Sequence, residues 1–103
     1  FRIPRSKVLV LNNLSAYPNP TYSGTVHFRV QGEGIAATKV EVYTPKGEKV
    51  YESGYQLGKE LTWNRTDNQD KPIPNGIYLY RLKVKGLGGK VKYTETRQLL
   101  VLN

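Results

Sequence analysis

The strongest constraint on this chain is a two-residue hydrophobic repeat that recurs in its apolar stretches, while no window repeats convincingly at helical spacing. Thr25-Val26-His27-Phe28-Arg29-Val30 alternates without a break and sets Val26, Phe28 and Val30 on one side. Successive side chains of a strand point to opposite faces, so the spacing predicts a strand with one buried face. Thr38-Lys39-Val40-Glu41-Val42-Tyr43 repeats the pattern. The Pro and Gly of Thr44-Pro45-Lys46-Gly47-Glu48 supply turn residues before Lys49-Val50-Tyr51-Glu52, which predicts a hairpin. Glu60-Leu61-Thr62-Trp63 is a shorter run, reached through a Gly-containing connection from Ser53 to Lys59. The polar stretch Asn64 to Asn75, with Pro72 and Pro74, reads as a long loop.

The next run, Ile77 to Lys85, offers Tyr78, Tyr80, Leu82 and Val84 to one side and Arg81, Lys83 and Lys85 to the other. Gly86-Leu87-Gly88-Gly89 turns the chain into a return run from Lys90 to about Leu102. Alternation fails there between Glu95 and Gln98, which predicts a bend. With Lys7 to Leu11 at the front, about seven short strands and no helix predict a single all-β domain, an antiparallel sandwich. A chain of 103 residues is long enough to bury one core. Residues 1–6 read as the end of a linker from a preceding domain and 7–103 as the sandwich. The chain lacks Met altogether and starts at Phe1, so it reads as an excised or processed piece of something longer.

Composition removes several function classes. There is no Cys, hence no disulfide, no thiolate nucleophile and no Cys-ligated metal. No apolar run approaches the length of a membrane helix, and no hydrophobic segment follows the basic start, so transmembrane and signal-peptide readings fail. Sixteen Lys and Arg against eight Asp and Glu give a net charge of +8. Such a surplus suits an acidic partner, but the cations are spread along the chain and interleaved with apolar residues, the arrangement of a solvated face. Nucleic acid is therefore not the expected partner. One concentration, Arg81, Lys83 and Lys85 followed by Lys90 and Lys92, predicts a local basic patch able to serve as a binding surface.

Catalytic parts are missing. His27 is the only histidine and sits on the outward phase of its strand. Asp67-Asn68-Gln69-Asp70 places two acids in one loop, but without the alternating acids, central Gly and terminal Glu of a calcium loop it reads as turn chemistry. The glutamates are scattered over outward strand positions, with no cleft to converge on. The expectation is a non-catalytic, monomeric domain without a cofactor or metal. Trp63 is expected to plug the core between the sheets, and Tyr51, Tyr55 and Tyr22 are the tyrosines with the best claim to exposure.

Four segments in order, Tyr17-Pro18-Asn19-Pro20, then Val40 through Val50 around Gly47, then Trp63, then Pro74-Asn75-Gly76-Ile77-Tyr78-Leu79-Tyr80-Arg81-Leu82, resemble an established pattern. It is that of the immunoglobulin-like domains related to the flagellar hook-capping protein, similar in turn to the C-terminal sorting domains of type IX secretion substrates. The resemblance runs from residue 14 to residue 102 and implies an immunoglobulin-like sandwich. Pro18 and Pro20 should hold the entering chain extended, while Gly47 and Gly76 supply turn conformations and Tyr78 opens the long strand. The family's loop after the Trp commonly has Gly where this chain has Arg65 and Asp70, and its terminal strand carries a basic pair where this chain has Arg97 alone. What the resemblance implies is a C-terminal accessory module of a secreted or cell-surface bacterial protein, often a hydrolase. Its role would be export, anchoring or spacing, with a secretion machine and the preceding domain as partners. The alternative is a module that holds polysaccharide with exposed Tyr and the basic strand.

Overall fold

Val26, Phe28 and Val30 are all buried, and so are Tyr78, Tyr80, Leu82 and Val84, as alternation requires of strands that share one core. The computed structural model describes residues 9–21 and 24–102. These form nine strands: β1 Val10–Tyr17, β2 Val26–Glu33, β3 Ile35–Tyr43, β4 Lys49–Glu52, β5 Gln56–Leu57, β6 Glu60–Trp63, β7 Gly76–Gly86, β8 Val91–Tyr93 and β9 Arg97–Val101. One sheet runs β1-β2-β6 and the other β4-β3-β7-β8, with β5 also on β3 and β9 also on β7. All named strand pairs are antiparallel. No helix occurs among the described residues. The all-β sandwich is thus as the sequence predicts.

Two strands more than predicted arise from short pieces. The connection from Ser53 to Lys59 contains β5, and the return run divides into β8 and β9 around Thr94–Thr96, where the alternation fails. The first strand needs correction: it starts at Val10 and continues to Tyr17, well past Leu11. Its polar Asn12, Asn13 and Ser15 hide it from a hydrophobic pattern, because an edge strand buries little, and a register shift between Leu11 and Asn13 breaks the repeat. Lys7, Val8, the linker expected at residues 1–6 and Tyr22 lie outside the described residues.

Trp63 does plug the core. Its ring lies 6.2 Å from that of Phe28 and 5.4 Å from that of Tyr51, and Phe28 in turn lies 5.1 Å from Tyr80. Burying an indole costs free energy unless its N–H finds an acceptor. Trp63 Nε1 donates to the Thr66 carbonyl at 2.8 Å, so the loop after β6 satisfies it. That loop keeps the backbone shape that glycines would give it: Arg65 and Asp70 both adopt positive φ, 60° and 61°. The left-handed geometry is retained here with side chains attached.

Gly47 adopts φ +93° in the β3–β4 turn, and Gly76 φ +153° at the start of β7. An added Cβ would meet nothing within 4 Å at either place, so conformation and not space selects glycine there. Two residues on, the Tyr78 hydroxyl donates back to the Pro74 carbonyl at 2.6 Å. This is the tyrosine corner of immunoglobulin-like sandwiches, in which the ring enters the core while its hydroxyl ties the incoming loop.

Candidate functional site

The motif residues near the start of the chain meet the last strand. Pro18 and Pro20 do not hold the chain extended as expected; both preceding peptide bonds are cis and residues 18–20 bend. The bend carries Asn19 to the free edge of β9. Asn19 Nδ2 donates to the Gln98 carbonyl at 3.1 Å, and Oδ1 accepts the Leu100 N–H at 3.1 Å. Thr21 continues the contact with backbone bonds to Leu100 and Leu102 of 2.9 and 2.8 Å. Arg65 adds a bond from Nη1 to the Leu102 carbonyl at 3.3 Å, while its Nε reaches Gly24. An unpaired strand edge is a template for unwanted pairing. Here a side-chain amide, a short backbone segment and a guanidinium close it.

Other edges are closed by the same device. Asn68 Oδ1 accepts the Glu52 N–H at 3.0 Å and its Nδ2 donates to the Glu52 carbonyl at 2.9 Å, which seals β4. On β1 the two outward backbone groups of Leu14 are taken by the Asn13 side chain and by Arg97 Nη1, at 2.9 and 2.7 Å. Arg97 therefore ties the terminal strand to the opposite sheet, and its Nε also bonds Glu95 at 2.8 Å. Leu99 and Val101, between these ties, are fully buried. Sequence reasoning had no access to the roles of Asn19, Asn68 and Tyr78, since each depends on a partner fixed only by the fold.

The basic residues occupy the outer face of the larger sheet, but not as one patch. Arg81, Lys83 and Lys85 share that face. Arg81 is committed: Nε lies 2.9 Å from Glu41 Oε1, and its guanidinium covers the Tyr93 ring at 3.9 Å. Burial acts to raise the Glu41 pKa, but hydrogen bonds from Tyr43 and Arg81 outweigh it and hold the carboxyl below its ordinary value. Glu41 is buried in consequence, so it departs from the outward, solvated position expected of the glutamates. Lys83 and Lys85 lie 5.5 and 6.0 Å from the rings of Tyr93 and Tyr55. Lys90 is exposed at the hairpin after β7. Lys92 pairs opposite Val84, on the other phase, and its Nζ reaches the Leu9 carbonyl at 3.1 Å.

Among the described residues the exposed tyrosine platform does not assemble. Tyr51 is partly buried and stacks on Trp63 at 29°, leaving Tyr55 with Lys39 and Lys85 at its ring. The acidic loop is a turn: Asp67 Oδ1 accepts the N–H groups of Gln69 and Lys71 at 2.8 and 3.0 Å. These bonds, that from Lys71 foremost, hold its carboxyl below the usual range. Among the described residues no three His, Cys, Asp or Glu groups converge as metal ligands.

A disulfide-free sandwich whose last strand is fastened by residues from across the chain defines an immunoglobulin-like β-domain. Its sequence matches the family of secretion system C-terminal sorting domains over residues 15–94, and the chain belongs to that family. Such a domain is a non-catalytic module of a larger protein. Solved structures share the fold. PorU from Porphyromonas gingivalis, in a dimeric latent form, matches 86% of this chain over 9% of its own, with a TM-score of 0.70 at 24% identity. PorZ of the same organism, an essential surface component of the type-IX secretion system, matches 87% of this chain over 11% of its own, with a TM-score of 0.57 at 20% identity. FlgD from P. aeruginosa matches 88% of this chain over 70% of its own, with a TM-score of 0.51 at 20% identity. The chain thus spans about a tenth of PorU and PorZ. No curated protein matches the sequence.

Proposed function

We propose that this domain is the export module of a larger secreted or cell-surface protein, and that a type IX secretion machine recognises its folded terminal sheet. The observation that carries the reading is the family match over residues 15–94. The fastening of β9 supports it, because a signal carried on that strand would be presented in one fixed geometry. Residues 1–6 then form the end of the linker from the preceding domain, and the protein that carries the module lies outside the cell or on its surface.

The test is a fusion of the domain to an unrelated soluble protein bearing a signal peptide, in a host with the type IX machine. Surface delivery of the intact fusion is expected, with loss on truncation before Gln98. An Arg97→Ala fusion, checked for folding, separates signal from stability, since Arg97 also ties β9 to β1. Retention of a demonstrably folded intact fusion in the periplasm would overturn the proposal.

A further inference from the structure

While β9, β4 and the Leu14 segment of β1 have their edges closed, β8 has no partner for its outer edge among the described residues. The backbone bonds Thr94 N–H to Leu82 and Gly86 N–H to Lys90 fix the phase of the β7–β8 ladder. In an antiparallel pair the residues between such bonded positions turn their backbone groups the other way. The N–H and C=O of Val91 and Tyr93 therefore point away from β7, and no described residue takes them. Both residues are also 45% exposed.

Beside this edge lies a cleft of about 350 Å³ between the two sheets, with Leu11, Leu14 and Val30 on one wall and Tyr93 and Arg97 on the other. Charge around the β8 edge is one-sided. Lys83 and Lys85 stand directly opposite Tyr93 and Val91, and Lys90 and Lys92 flank them. Among the described residues none of these four lysines sits within salt-bridge distance of a carboxylate. The nearby acid, Glu95, is held by Arg97.

From the open edge, the adjoining cleft and the surplus of lysines together we infer that β8 is a docking edge for an extended acidic segment of another protein, added as a further antiparallel or parallel strand. The backbone groups of Val91 and Tyr93 supply main-chain bonds, which give affinity without sequence preference. Alternation supplies selectivity: acidic side chains on the phase of Val91 and Tyr93 lie toward Lys83 and Lys85, and apolar ones on the other phase face the cleft beside Leu11, Leu14 and Val30. This inference does not rest on the sorting role.

The probe is a capped, fluorescein-labelled octapeptide alternating glutamate and valine, titrated into the 103-residue chain. Controls are the same peptide with alternate amides N-methylated and a lysine–valine version. Val91→Pro removes an outward N–H that the sheet does not use, and Val91→Ala keeps it. Saturable, salt-sensitive binding is expected, weakened about tenfold by N-methylation or by Val91→Pro and little changed by Val91→Ala. If Val91→Pro fails to fold, the N-methylated peptide with the native chain decides alone. Three results would overturn the inference: no saturable binding, equal binding of the N-methylated peptide, or sedimentation of the chain as a dimer that Val91→Pro dissolves. The last would mean that a second copy occupies the edge.

Discussion

Asn19 stands to Leu100 as a neighbouring strand would: its amide oxygen accepts the Leu100 N–H while its amide nitrogen donates to Gln98, from 79 to 81 residues away in sequence. Replacing it tests whether the last strand depends on this one side chain. Asn19→Ala should lower stability by about 1–3 kcal/mol through two lost hydrogen bonds. Amide exchange at Leu100 should accelerate while exchange at Val40 tracks only the global change. Equal acceleration at both would show that the amide does not act locally.

Trp63→Ala should cost about 3–5 kcal/mol, since it leaves a cavity against Phe28 and Tyr51 and removes the donor to Thr66. Lys83→Ala, on the outer face, should stay within about 0.5 kcal/mol. Urea unfolding monitored by far-UV circular dichroism compares the two.

Acid should weaken the outer face of the larger sheet. Hydrogen bonds from Lys39 and then Lys49 hold the Glu52 carboxyl down at about 2, against an ordinary value of 4.5. A carboxylate depressed in the folded state contributes stability fully above its unfolded pKa and loses it as pH falls toward the folded one. Glu41, also depressed, acts in the same direction. Unfolding midpoints in urea should therefore hold from pH 7 to about pH 5 and fall between about 4.5 and 2, and Glu52→Gln should flatten that fall. An unchanged profile in Glu52→Gln would show that the Lys39–Glu52–Lys49 cluster contributes nothing measurable.

Asp70 adopts φ 61° in an exposed loop. Asp70→Gly should stabilise by up to about 1 kcal/mol, and Asp70→Val should destabilise by about 1–2 kcal/mol, because a β-branched residue tolerates that region worst. Arg65→Gly should gain less, as it gives up the bond to Leu102. Thermal melts of the three variants give the order directly.

Which parts of this were legible beforehand follows from the range of the forces involved. The faces of β2, β3 and β7 could be read because alternation is a local consequence of pleating. So could the turn at Gly47 and the burial of Trp63. β1 could not, since an edge strand with a register shift carries little hydrophobic signal. Glu41 lay on the outward phase yet is buried, because Arg81 and Tyr43 close over it, and only the register of β3 against β7 brings them together. The paired duties of Asn19, Asn68 and Arg97 were out of reach for the same reason. Each is a contact across sheets or across most of the chain, and the sequence names only one partner at a time.

The closure of β9 has a meaning in time as well as in space. A polypeptide that stops before Arg97 already holds the bent prolines, the tryptophan and the long central strand. It still leaves Tyr78 and Tyr80 without the strand that pairs with them, and Asn19 with nothing to grip. The presence of β9 is thus written into the shape of this sheet, legible without reading any particular residue.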